Sequence, residues 1–170
     1  EEVDLSTWEL NATTNVQMNK MFNNCRALVT IYAGRGWINS RIAANTDMFN
    51  ANYNLIGADG TRYITAENAN SSEHANLTKN SYLSLRFVSN TMQWSLNSDG
   101  NMLFEPVTGD YGEMENLGAT TKSPCNLFRD DAGTAIEIQG NVKTVKVKEG
   151  TTVGVVNDGY MTSLFQGFTA

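Results

Sequence analysis

Apolar residues in this chain come in short alternating runs separated by Gly, Asn and Asp. "YLSLRFV" (82–88) sets Leu83, Leu85 and Phe87 against Tyr82, Ser84, Arg86 and Val88, the period-two signature of a strand. "MQWSLNSDGNMLFEP" (92–106) alternates on both sides of Asp99-Gly100, and "YNLIGADGTRYI" (53–64) does so around Asp59-Gly60. An Asp-Gly pair accepts the positive φ of a tight turn, so each stretch predicts a β-hairpin. Trp94 alternates with Leu96 and is expected to point inward. In "RALVTIYAG" (26–34), Leu28, Thr30 and Tyr32 share one face while Val29, Ile31 and Ala33 share the other. Both faces are partly apolar, which predicts a well-covered strand.

The same grammar runs through the C-terminal third. Runs at 134–138, 142–148, 151–156 and 160–166 are separated by turns at 139–141, 149–150 and 157–159. In "VKTVKVK", Val145 and Val147 share a face with Lys143 while Val142 falls opposite, and a bulge near Lys143-Thr144 would restore the phase. Strands spaced eight to ten residues apart predict an all-β fold, an antiparallel β-sandwich or barrel with a hairpin meander. At most one or two short helices are expected, with one at 15–25 suggested by Val16, Met21, Phe22 and Cys25. No long-period repeat of solenoid type is read from the sequence. The chain is read as a single β-rich domain, 1–170. Its subdivisions would be a sheet region at 1–105, a loop at 106–124 bracketed by Pro106 and Pro124, and a meander at 125–170.

Composition sharpens this picture in a few places. Charged residues are only 18%, and Asn is abundant, a profile of turns and strands rather than salt-bridged helices. A net charge of −6 and a pI near 4.7 argue against a nucleic-acid partner, which requires a basic face. No run approaches the roughly 18 apolar residues of a membrane-spanning helix. The chain opens at Glu1 and not at Met, which predicts either a removed leader or a processed or excised fragment. Cys25 and Cys125 are a candidate disulfide closing a large loop, with two buried thiols as the alternative. Asn11-Ala-Thr13, Asn70-Ser-Ser72 and Asn76-Leu-Thr78 match the glycosylation acceptor pattern, as an Asn-, Ser- and Thr-rich chain does by chance.

Candidate chemistry is sparse. His74 is the sole histidine and sits in a polar, loop-like stretch without a G-x-S-x-G elbow, so a Ser-His-Asp or Cys-His site has only its residue types to support it. Glu105, Asp110, Glu113 and Glu115 offer paired carboxylates for glycoside cleavage or calcium, but they read as an exposed acidic loop. "SLNSDGN" (95–101) hints at oxygen ligands and is equally a hairpin turn. No cofactor, metal site or catalytic residue is therefore expected. "AGRGW" (33–37) lacks the Lys-Ser/Thr of a phosphate loop and reads as a tight turn. Trp37, Trp8 and Arg35 are the candidates for an exposed stacking platform, the chemistry by which proteins hold sugar rings. Leu164, Phe165 and Phe168 end the chain with an apolar tail, a candidate subunit contact.

Residues 126–165 also carry a resemblance. Gly133-Thr134-Ala135-Ile136, then Val145, Val147, Gly150, Thr152-Val153, Val155 and Asp158-Gly159, resemble β-meander segments in structural proteins of tailed-bacteriophage virions, of the fibre and decoration type. Lys148-Glu149 departs from the Pro or Ala common before the turn glycine in such segments. The resemblance implies a non-enzymatic component of a virion surface, homo-oligomeric and commonly trimeric, whose partners are other virion subunits. A secreted glycan-binding β-sandwich and a self-assembling extracellular or envelope filament subunit are the alternatives.

Overall fold

A computed structural model describes residues 1–10, 13–34, 36–37, 39–44, 46–63, 74–77, 80–89, 91–114 and 141–155. Ten strands are described: β1 Glu2–Leu5, β2 Val16–Gln17, β3 Thr30–Ala33, β4 Ile42–Ala44, β5 Leu83–Ser89, β6 Met92–Leu96, β7 Asn101–Pro106, β8 Tyr111–Met114, β9 Thr144–Val147 and β10 Thr152–Val155. A 3-10 turn at Asn39–Arg41 precedes β4, and no α-helix occurs among the described residues. Among the described residues the β-rich expectation holds. The antiparallel expectation does not.

The described residues of the first 55 wind as two stacked layers. β1 pairs with β3 in parallel, Glu2 opposite Thr30 and Leu5 opposite Ala33. β2 pairs with β4 in parallel, with a register shift between Val16 and Gln17. Between these strands the layers stay joined by main-chain bonds from Leu10 to Gly36, Lys20 to Thr46, Phe22 to Met48 and Asn24 to Asn50. At these described positions a chain segment thus meets its successor 26 to 28 residues later. The corners repeat in conformation as well: Lys20 and Asp47 share a φ near +55°, and Asn24 and Ala51 one near +60°. Positive φ at Lys20 and Asn24 cannot be accommodated in an α-helix, so the helix expected at 15–25 is instead a corner. Met21-Phe22-Asn23 of the first layer recurs as Met48-Phe49-Asn50 in the second. The chain does carry a solenoid-like repeat, contrary to the reading above.

Packing inside the layers follows from the stacking. Phe22 and Phe49 lie one above the other, ring centroids 5.6 Å apart and planes within 11° of parallel. Tyr82 meets Phe49 edge-on at 5.2 Å, carrying the column into a third layer. Offset and edge-to-face pairs of this kind each contribute about 0.5–1.5 kcal/mol beyond area burial. Asn52 is fully buried and donates to the Phe22 carbonyl at 2.6 Å, tying the second layer to the first from inside. Gly34 is required by the close approach: a Cβ there would collide with the Ser6 carbonyl of the layer beside it.

The third layer changes style. Ile56 begins it by donating to Val29, then Gly60, with φ of 83°, turns the chain back so that Ile56 bridges Arg62. Among the described residues the hairpin expected there has the single bridge Ile56–Arg62. β5 then takes the place beside β3, Ile31 opposite Leu83, and β5, β6 and β7 form the antiparallel meander that the alternation predicts. Gly100, with φ of 81°, makes the β6–β7 turn. The main sheet runs β1-β3-β5-β6-β7-β9, mixed in direction, with parallel pairs at both ends.

The C-terminal strands hold the largest correction. β9 and β10 do not pair as a hairpin: β9 adds in parallel to β7, and β10 in parallel to β8. The turn 148–151, with Gly150 at φ of 79°, is a corner stacked on the corner containing Gly109, φ 67°. β8 itself falls within the stretch expected as a loop at 106–124. The bulge expected near Lys143-Thr144 has its counterpart, since both N–H groups donate to the Gly100 carbonyl. Val142 is buried, and β9 begins after it.

We expect Phe49→Ala to lower stability by about 3–5 kcal/mol, since it removes the middle ring of the column. Gly34→Ala should be destabilising despite its small size, whereas Gly60→Ala, which meets nothing within 4 Å, should show only its φ penalty. Urea midpoints of the three variants check this ordering.

Candidate functional site

The expected stacking residues part company in the structure. Trp37 is 3% exposed and donates its indole N–H to the Ala75 carbonyl at 2.7 Å, a core role that corrects its expected exposure. Arg35 lies outside the described residues, as do Cys125, Leu164, Phe165 and Phe168. Cys25 is exposed, its Sγ 3.8 Å from the Asn23 carbonyl. Trp8 meets the expectation, with 44% of its surface exposed.

Trp8 owes its position to the turn that ends β1. Asp4 accepts the Ser6 N–H at 2.9 Å, and the Trp8 N–H closes the turn onto Leu5. Trp8 lines a cleft of about 310 Å³ together with Ser6, Thr7, Glu9, Gly36, Phe87 and Val88. A Cβ at Gly36 would collide with the main chain of Trp8 and Glu9, so the glycine permits the close approach of this segment to theirs. An exposed aromatic ring and an adjacent carboxylate at a cleft are the elements by which a sugar can be stacked and hydrogen-bonded.

Neighbouring side chains on the outer sheet face form a charged group. Arg86 of β5 reaches Asp4 of β1 at 2.7 Å and lies 3.9 Å over the Tyr32 ring of β3 between them. Burial pushes the Asp4 carboxyl upward, but hydrogen bonds from Ser6 and the Arg86 guanidinium outweigh it and hold the pKa below its usual value. Burial, and next the charge of Glu2, push the Tyr32 hydroxyl up.

The other candidate side chains that are described are engaged with neighbours. His74 stacks on Tyr82 at 4.5 Å and lies 2.5 Å from the Asn80 carbonyl through Nδ1, which places the proton on that nitrogen. Glu105 pairs with Lys148 at 3.6 Å and accepts from Gln93; Glu113 accepts from the Tyr111 hydroxyl. That bond, first, raises the Tyr111 pKa. Glu115 lies outside the described residues. Among the described residues no group of three His, Cys, Asp or Glu side chains could hold a metal, and no helix is long and apolar enough to cross a membrane.

A second feature escaped the sequence reading: the two ends of the main sheet. On its inner face Met102 and Phe104 of β7 are 0% and 4% exposed, yet their neighbours on β9, Val145 and Val147, are 37% and 51% exposed. The core face continues past the point where the core is covered. Lys143, Lys146 and Lys148 are exposed on and beside this edge, and Glu1, Glu2 and Asp4 are exposed on and beside the opposite one.

No family model, curated protein or solved structure matches the chain.

Asp4 sets a pH signature. Its pKa is lower folded than unfolded, so its contribution is full above the ordinary 3.8 and fades as pH falls through the lowered value. The melting temperature of Asp4→Asn should therefore lie below wild type at neutral pH, with the gap narrowing below about pH 4. A gap that does not change with pH would show that the carboxylate charge is irrelevant there.

Proposed function

We propose that this protein is a non-enzymatic structural subunit that works through contacts with other subunits, on a virion surface of the capsid-decoration or tail-fibre type. The observation that carries the reading is the exposed apolar end of the main sheet at Val145 and Val147. Apolar positions in line with a buried core are where a further strand or subunit gains the most by docking. The likeness of residues 126–165 to phage virion segments supplies the setting, and the neighbour contacts of Glu105, Glu113 and His74 are in keeping with it.

A second reading has its own observation. The Trp8 cleft, with Glu9 beside the ring, suits a glycan, and a virion surface protein that also grips host sugar would need such a site. In that reading Trp8 stacks on the sugar and Glu9 accepts from a hydroxyl group.

Two measurements on the full chain separate the readings. Light scattering is expected to give a mass that is a multiple of 18.7 kDa, with tryptophan emission unmoved by simple sugars. A monomer whose emission shifts saturably with a sugar, in a way that Trp8→Ala abolishes, would replace the first reading by the second.

A further inference from the structure

The two edge strands of the main sheet match each other. Following the pairings, β1, β3 and β5 run one way, β6 runs the other, and β7 and β9 return to the first direction. β9 and β1 are therefore parallel strands at opposite ends of one sheet. A second copy displaced along the sheet presents its β1 to the first copy's β9 in the orientation that β1 already takes beside β3.

Chemistry matches as well as direction. The inner face at one end carries Val3 and Leu5, and at the other Val145 and Val147; the outer face carries Glu2 and Asp4 at one end, and Thr144 and Lys146 at the other. Both strands are four residues long. Setting Val145 opposite Val3 and Val147 opposite Leu5 continues the apolar face and brings Lys146 beside Asp4, with Glu2 one step away diagonally. A slip of one residue would put the next copy's Val3 and Leu5 on the outer face beside Lys146, so the pattern selects the register.

The main chain of β9 is ready for this. Thr144 donates to Gly100, just before β7, and Lys148 to Phe104 of β7, so by strand alternation the N–H and C=O groups of Val145 and Val147 point to the open side. Among the described residues they meet no partner strand. Lys148 is engaged by Glu105, whereas Lys146 has no ion-pair partner among the described residues.

We infer that copies of this chain associate head to tail, the β9 edge of one pairing in parallel with the β1 edge of the next, with Lys146 facing Glu2 and Asp4. The inference rests on the subunit-contact reading and names the partner as a second copy. A heterologous contact of this kind closes into a ring or extends into a filament according to the rotation per step.

The test uses charge reversals in the full chain, read by sedimentation velocity and negative-stain imaging. Lys146→Glu and Glu2→Lys each set like charges across the joint, and each should weaken self-association about tenfold or more. Mixing the two variants, or combining them in one chain, should restore it. Val147→Pro removes an outward N–H but leaves the β7 ladder intact, so it should abolish association while circular dichroism stays unchanged. Assemblies that persist in both reversals and in Val147→Pro would overturn edge pairing and leave the subunit-contact reading standing. A wild-type monomer at all concentrations would overturn edge pairing as well, and the sugar response would then decide the broader reading.

Discussion

Everything in the N-terminal part depends on one arrangement, the parallel stacking of a chain segment on the segment 26 to 28 residues before it. Its hydrogen bonds are main-chain bonds, so they hold at strands and corners alike. They force equal layer lengths, and that in turn sets Phe49 over Phe22 and the Asn50 corner over the Asn24 corner. Gly34 and the inward Asn52 are local accommodations of the same close spacing. Removing the stack would leave short strands of two to four residues with nothing to pair against.

The meander of β5, β6 and β7 joins this stack to a second one. At the far side, β7 and β8 form one layer and β9 and β10 the next, again in parallel. Parallel pairs at both ends of an otherwise antiparallel middle give the sheet two edges of like direction. An antiparallel sandwich would have offered no such relation between its ends as a matter of course. The open surfaces of the molecule and the reading of its function therefore both descend from the stacking rule.

Sequence and structure diverge at identifiable residues. Alternation in 82–106 was legible because each side chain there faces either core or solvent, and the antiparallel partners are adjacent in sequence. The corner at Gly150 was read as a hairpin because a glycine with positive φ serves both a reversal and a corner. Local chemistry specifies the turn, whereas which strand the chain pairs with afterwards is decided by earlier layers. The 27-residue repeat escaped notice for a related reason: main-chain ladders constrain side chains weakly, and only Met-Phe-Asn recurs. Trp37 looked exposed among polar neighbours, yet the layer beyond it supplies the Ala75 carbonyl that its indole requires. Trp8 was legible as exposed, but the cleft it lines is built by β5 and Gly36, which sequence spacing could not bring together.

The sequence alone determined the β-rich class, the inward Trp94, and the turn residues at Asp59-Gly60, Asp99-Gly100 and Gly150, because these follow from side-chain period and backbone sterics within a few residues. Tertiary structure decided strand direction, the parallel layers and the two complementary edges. Those depend on contacts between segments tens of residues apart, where main-chain hydrogen bonding is indifferent to residue type and only the assembled sheet selects the partner.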